Sequence, residues 1–124
     1  NLYYMGKTLQ KLGKHKEALT IPWHHQNTED EEISAEIQFR IAGCCQELGE
    51  AEEAVLEYLK AAYLYPDNLN WATRAQECAA RCLEKQGRID DAGKLYTKIM
   101  ERDPYGVKGE LARQKLKEIR QQKH

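Results

Sequence analysis

Four cysteines are the residues of this chain best suited to chemistry. Cys78 and Cys82 lie four positions apart and so share one face of a predicted helix, while Cys44 and Cys45 fall in an earlier helix. Four thiolates could bind a metal ion. Structural zinc sites favour cysteine pairs on loops, however, and all four residues here are predicted in mid-helix. The pattern favours small buried side chains, with a disulfide between helices and a metal or redox site as alternatives.

Histidines and acidic residues offer weaker metal ligands. His24 and His25 are adjacent, so on a helix they would point about 100° apart and could not readily share one ion. The run from Glu29 to Glu32 lacks the Asp-x-Asp-x-Asp-Gly order of a calcium loop. Carboxylates are also favoured at a helix N-terminus. We therefore expect no cofactor.

The sequence lacks common enzyme motifs. It contains no Gly-x-Ser-x-Gly, no phosphate-binding Gly-rich loop and no His-Glu-x-x-His, and its one serine, Ser34, lies in a predicted helix. We expect a protein without enzymatic activity.

Charge is unevenly distributed along the chain. The net charge of −1 provides no overall field for nucleic acid, and no apolar run approaches the roughly 20 residues that cross a bilayer. Residues 29–57 hold ten acidic side chains against one basic, whereas residues 1–16 carry four Lys and no acid. Residues 94–124 carry nine basic and four acidic side chains. Such alternation could steer a partner or promote association between copies.

Three segments share one skeleton, which predicts a helical repeat. Each has a glycine followed five positions later by an alanine, and the second and third copies continue with a tyrosine and a proline at identical offsets. The glycine ends a helix in a left-handed conformation, the alanine lets the next helix approach, and the proline ends that helix. The three copies are Gly13–Ala18, Gly49–Ala54–Tyr58–Pro66 and Gly87–Ala92–Tyr96–Pro104.

The repeat predicts seven helices, at about 2–12, 15–26, 30–48, 51–65, 69–86, 89–102 and 107–122. They form three hairpins, at about 1–28, 29–66 and 67–104, and a capping helix at 105–122 with apolar Val107, Leu111, Leu116 and Ile119. Pro22 stands where the other copies have tyrosine, so we expect a break there, with Trp23 supplying the aromatic packing. The chain starts at Asn1 within a helical pattern, which suggests a fragment of a longer protein.

This skeleton resembles the tetratricopeptide repeat (TPR). In the second copy Ile41-Ala42 stands for the Leu-Gly pair of the family pattern and Cys45 for its first-helix aromatic; in the third copy Ala79-Ala80 and Leu83 take those places. Gln38 and Gln76 replace the early Trp. The resemblance implies an all-α, right-handed superhelix of antiparallel helix hairpins that binds protein or peptide partners.

The end of the chain narrows the resemblance. Asp103-Pro104-Tyr105-Gly106, followed by Ala112, Leu116 and Ile119, is similar to bacterial cell-envelope TPR proteins of the Tol–Pal-associated YbgF type and the outer-membrane-assembly BamD type. This likeness implies a periplasmic or envelope location; without it, the cytoplasm is expected.

The resemblance also implies a binding groove, because the first helix of each TPR hairpin lines the concave side. We expect Tyr3, Phe39, Arg40, Arg74 and Arg81 to grip a peptide of some acidic character, although these could be merely solvated groove residues. Only Arg74 fits the pattern that clamps a C-terminal carboxylate, so chaperone tails are disfavoured. The groove positions are Tyr3, Lys7, Gln10, Lys11, Phe39, Arg40, Gly43, Gln46, Glu47, Arg74, Glu77, Cys78, Arg81 and Lys85.

Three functions are therefore considered. A scaffold that binds a protein partner is favoured, and a self-associating spacer within a larger TPR protein is second. A cysteine-based metal or redox module is the remote third.

Overall fold

The computed structural model describes residues 1–23 and 29–122. These residues form seven α-helices and no strand, which confirms the predicted all-α fold. From α3 onward each helix packs on the next, and α3 also contacts both α1 and α5. The helices are α1 (Leu2–Lys11), α2 (His15–Thr20), α3 (Glu31–Glu47), α4 (Ala51–Leu64), α5 (Leu69–Lys85), α6 (Ile89–Arg102) and α7 (Val107–Gln122).

Three glycines turn the chain between paired helices. Gly13, Gly49 and Gly87 have φ of 78°, 80° and 79°. In each turn the glycine N–H and the next N–H donate to carbonyls of the last helical turn, as Gly49 does to Gln46 (3.0 Å) and Glu50 to Cys45 (3.0 Å). This is the Schellman arrangement, which requires a left-handed residue at the glycine.

The alanine and tyrosine of the skeleton lie where the paired helices meet. Ala54 and Ala92 are fully buried, and Tyr58 and Tyr96 are 3% and 2% exposed. Each hydroxyl donates to a side chain twelve residues earlier: Tyr58 to Oε1 of Gln46 and Tyr96 to Oε2 of Glu84, both at 2.6 Å. In the second and third hairpins, the tyrosine hydroxyl thus joins the second helix to the C-terminal end of the first helix.

The second helix of the first hairpin is interrupted before Pro22, as predicted. Helix α2 ends at Thr20, earlier than predicted, because the residue before Pro22 is driven out of the helical region; Ile21 is extended, with ψ of 126°. Trp23 is 1% exposed and lies against Gly6, where an added Cβ would overlap the indole ring. The expected aromatic replacement is thus confirmed. His24 and His25 lie outside the described residues.

Helix α7 buries only part of the predicted apolar set: Ile119 is buried and Leu116 is partly buried, as expected. Val107 is 76% and Leu111 47% exposed, whereas Gly109, Ala112 and Ile119 are buried. A Cβ at Gly109 would overlap the carbonyl oxygen of Asp103. The small Gly109 allows α7 to approach the preceding turn closely, and Val107 and Leu111 are left exposed.

The buried side chains form two clusters. The first core contains Tyr3, Trp23, Ile37 and Ile41, and the main core extends from α3 to α7. Leu19 packs against both clusters. Among the described residues, no helix combines the length and apolar character needed to cross a membrane.

Candidate partner-binding surface

Glu36 gathers several of the predicted groove residues into an ionic network between α1 and α3. The Tyr3 hydroxyl donates to Oε1 of Glu36 at 2.6 Å, and Nε of Arg40 donates to Oε2 at 2.6 Å. Lys7 Nζ lies 3.0 Å from the Tyr3 hydroxyl and 3.5 Å from Glu36 Oε2. The Glu36 side chain is 11% exposed, and those of Lys7 and Arg40 are 23% exposed. We call these four residues the Glu36 network.

The contacts of the Glu36 network favour an ionised Glu36, a neutral Tyr3 and a charged Lys7. Burial alone would raise the pKa of Glu36, but the hydrogen bonds from Tyr3 and Arg40 lower it below its ordinary value. Burial, together with the bond to Glu36, raises the pKa of Tyr3. The bond to Tyr3, followed by the charge of Glu36, raises the pKa of Lys7. The phenol is therefore neutral and the carboxylate ionised at neutral pH, and Glu36 compensates much of the local positive charge.

The next part of the surface is an arginine stacked on two aromatic rings. The Arg74 guanidinium lies 5.0 Å from the Phe39 ring centroid and 4.5 Å from that of Trp71. The two rings are 5.4 Å apart, and Phe39 is also 5.4 Å from the Tyr58 ring. Within residues 1–23 and 29–122, no carboxylate forms an ion pair with Arg74. These cation–π contacts hold the guanidinium near both rings, and its N–H groups can still donate to another acceptor.

Beyond Arg74, cations of α5 and α7 surround a cavity of about 210 Å³. Glu77 pairs with Arg81 at 3.4 Å and with Lys108 at 2.5 Å, and Lys115 lies 3.9 Å from Glu84. Three cations and one carboxylate thus contribute to the lining, which gives the cavity a positive character. The lining residues are Glu77, Arg81, Tyr96, Ile99, Lys108, Leu111, Ala112 and Lys115.

Comparison with known families identifies the repeat. Tetratricopeptide repeat models match residues 35–68 and residues 79–104. These two segments are similar to tetratricopeptide repeats. Comparison with curated proteins gives no match. The two matched TPR segments include most of α3 and α4, and then the end of α5 with all of α6.

The TPR matches indicate a general function and identify no specific partner. Such repeats typically form scaffolds for contacts between proteins and have no enzymatic activity of their own. The matches do not distinguish a bacterial or envelope type, so that resemblance stays a prediction.

Other predicted groove residues of the TPR array hold the fold together or lie in solvent. Gln46 accepts the bond from Tyr58. Gln10, 36 residues earlier, lacks such a tyrosine because Pro22 stands in its place, and it exchanges hydrogen bonds of 3.0 and 3.2 Å with Arg40 instead. Gly43 lies beside the Gln10 amide. The exposed positions are Lys11, Glu47 and Lys85.

The four cysteines are free thiols. Burial raises the pKa of Cys44 to about 11 and also raises the pKa of Cys45 and Cys82. Cys78 is half-buried, with its sulfur 4.0 Å from Nη2 of Arg81. Because the thiolate is the reactive and metal-binding form, the three buried thiols are poor candidates for either chemistry. Within the described residues, no three His, Cys, Asp or Glu side chains cluster as metal ligands.

Sequence reasoning missed Glu36, Glu84, Trp71 and Lys108. Sequence reasoning could have selected Glu36 as a groove position, because it lies 38 residues before Arg74, which is one repeat length, and four residues before Arg40. The role of Lys108 was harder to predict from the sequence, because Lys108 and its partner Glu77 are 31 residues apart and lie on different helices.

Proposed function

We propose that this TPR array binds an acidic peptide segment of a partner protein along the side formed by α3, α5 and α7. The main support is Arg74, whose guanidinium is held on the Phe39 and Trp71 rings without a carboxylate partner among the described residues. An arginine held near aromatic rings can still bind a carboxylate through two parallel N–H bonds.

Electrostatics favours the α5–α7 end of this surface. Arg81 and Lys108 share a single carboxylate, Glu77, and the Arg81 side chain is 54% exposed. In contrast, the cations at the α1 end are already bound to Glu36. We therefore assign peptide contact to Arg74, Arg81 and Lys108, while Tyr3, Lys7 and Arg40 shape one end of the surface.

A displayed library of random peptides would test this function. The double variant Arg74→Gln/Arg81→Gln is compared with Arg88→Gln/Arg120→Gln, which changes the net charge equally. Arg88 matches Arg81 well, because it is also 54% exposed and also pairs with one carboxylate. Acidic peptides selected on the native chain should bind the first variant at least about tenfold more weakly, since a charged hydrogen bond contributes about 1.5–3 kcal/mol.

The control variant should retain native affinity. Equal weakening by both variants would indicate a nonspecific charge effect, and full retention by the first variant would refute the assignment of the arginines.

Self-association is the second candidate. Tyr4 and Met5 on α1 are 63% and 50% exposed, and Val107 on α7 is 76% exposed. However, both terminal helices carry an excess of positive charge, which opposes direct contact between them. Association through these ends should therefore strengthen as salt screens the repulsion. A sedimentation profile that stays monomeric at high protein and salt concentration would rule it out.

A further inference from the structure

The cavity between α5 and α7 lies where the second repeat has an aromatic side chain of its own. Helices α3, α4 and α5 begin 38 residues before α5, α6 and α7, so residues 38 positions apart correspond. Tyr58 and Tyr96 correspond in this way, and both are buried. In the second repeat the Phe39 ring lies 5.4 Å from the Tyr58 ring, and the Arg74 guanidinium lies 5.0 Å from the Phe39 ring. A ring and a cation therefore occupy this position in the second repeat.

The third repeat lacks both of these side chains. The counterparts of Phe39 and Arg74 are Glu77 and Ala112, and both line the cavity of about 210 Å³ together with Tyr96. An engineered apolar cavity of about 150 Å³ in another protein is large enough to bind benzene. The cavity in the third repeat can therefore hold one aromatic ring.

The lining of the cavity combines apolar walls with partly exposed cations. The walls include Leu111, which is 47% exposed. The side chains of Arg81 and Lys108 are 54% and 37% exposed, and in the described part of the chain their ion pairs are with one carboxylate, that of Glu77. The third cation, Lys115, already lies within 3.9 Å of two other glutamates. Arg81 and Lys108 thus have one carboxylate for two positive charges.

We propose that this cavity binds a phenylalanine side chain of the partner peptide, next to an acidic residue of that peptide. The inference rests on the function proposed above and specifies the peptide. The ring packs beside Tyr96 as Phe39 packs beside Tyr58. Cations in the lining favour an aromatic ring over an aliphatic side chain, because they are attracted to the ring face. The neighbouring carboxylate binds Arg81 and Lys108.

Two variants of Glu77 test the cavity in opposite directions. Both lose the ion pairs with Arg81 and Lys108, but only Glu77→Phe places a ring where the second repeat has one. Acidic peptides selected on the native chain should contain phenylalanine and should bind Glu77→Phe at least about tenfold more weakly. Glu77→Gln removes a carboxylate that repels an acidic ligand, so it should bind these peptides equally well or up to about threefold more tightly. Circular dichroism should show native helix content in both variants.

Changes in the peptide show whether the ring itself is recognised. Replacing the peptide phenylalanine by alanine should weaken binding to the native chain about tenfold. Replacing it by cyclohexylalanine, which has a similar size but no aromatic face, should weaken binding about threefold. Neither replacement should affect binding to Glu77→Phe, because the cavity is then filled.

A second pair of variants keeps the test decisive if Glu77→Phe fails to fold. Leu111→Gln replaces an apolar wall of the cavity and should weaken the peptides about threefold. Val107→Gln makes the same kind of change at another exposed apolar residue of α7, outside the lining, and should have no effect. Equal effects of the two variants would contradict binding in the cavity.

The outcomes separate this inference from the proposed function. Acidic peptides that lack an aromatic residue, or whose phenylalanine contributes equally on the native chain and on Glu77→Phe, would overturn the inference and leave the proposed function intact. If no acidic peptide is selected, the proposed function fails, and 3-phenylpropionate then tests the cavity alone. This probe should shift the NMR amide signals of Leu111 and Ala112 in the native chain but not in Glu77→Phe, and the absence of any shift would overturn the inference as well.

Discussion

The two glutamines that replace the early Trp of the TPR pattern should respond oppositely to one substitution. Methionine has nearly the length and volume of glutamine but makes no comparable hydrogen bonds. Gln38 is 2% and Gln76 4% exposed, and both lie on the first helix of a repeat. The paired variants Gln38→Met and Gln76→Met therefore differ mainly in what the amide contacts.

The contacts set the magnitudes. Gln38→Met removes one bond to a carbonyl and one to the ionised Glu57, whose side chain is 13% exposed. A neutral and a charged hydrogen bond together predict a loss of about 2–4 kcal/mol in the free energy of unfolding. Gln76→Met removes a buried acceptor that has no partner, so it should be neutral or stabilise by about 1–2 kcal/mol.

Urea denaturation followed by circular dichroism at neutral pH measures both values on the same chain. The expected result is a lower transition midpoint for Gln38→Met and an equal or higher one for Gln76→Met, with unchanged slopes. A comparable loss in both variants would show that the Gln76 amide is satisfied in solution. That result would refute the stability argument.

Three further predictions concern packing, pH and thiols. Gly6→Ala should destabilise by about 3 kcal/mol because its Cβ overlaps Trp23. Gly93→Ala should stabilise by up to about 1 kcal/mol, because its Cβ would make only an ordinary van der Waals contact with Leu116; thermal melts of both variants measure these changes. Glu36→Gln should destabilise by about 2 kcal/mol at pH 7. Because the pKa of Glu36 is lowered in the folded state, ionised Glu36 stabilises the native protein above the ordinary value of 4.5, and this stabilisation is lost as pH falls through the folded pKa. Urea titrations in which the native chain exceeds Glu36→Gln in stability by the same amount at pH 3 as at pH 7 would contradict this. Cys44 should react with a thiol reagent at pH 8 far more slowly than the half-buried Cys78, and equal rates would contradict the burial of Cys44.

The helical architecture could be predicted because its determinants are local. A glycine at each turn and a proline after the second helix specify where helices end. The break at Pro22 followed from the same rule. The exposure of Val107 and Leu111 on α7 was not predictable from its apolar residues, because the start of this helix packs closely through Gly109 and Ala112.

The candidate site was predictable only in outline. Helical spacing and the family resemblance selected the helix faces, but the state of each cation depends on partners from other helices. Arg40 and Arg74 have the same charge, yet Arg40 is bonded to Glu36 and Gln10 whereas Arg74 stacks on rings. The different contacts of the two glutamines are similarly nonlocal, because Nε2 of Gln38 donates to Glu57 of the next helix, where the third repeat has Leu95.

The presence of two cores has a consequence for how the molecule opens. An array in which each unit contacts only its neighbours can unfold from one end. The first core includes Trp23 and Tyr3 and meets the main core at Leu19, so the hairpin of α1 and α2 can detach as one cooperative unit while α4 to α7 stay folded. Amide exchange should then be faster throughout α1 and α2 than in α5 and α6. The packing of Tyr3 and Trp23 on Ile37 and Ile41 of α3 would then set how often the Glu36 network opens to solvent.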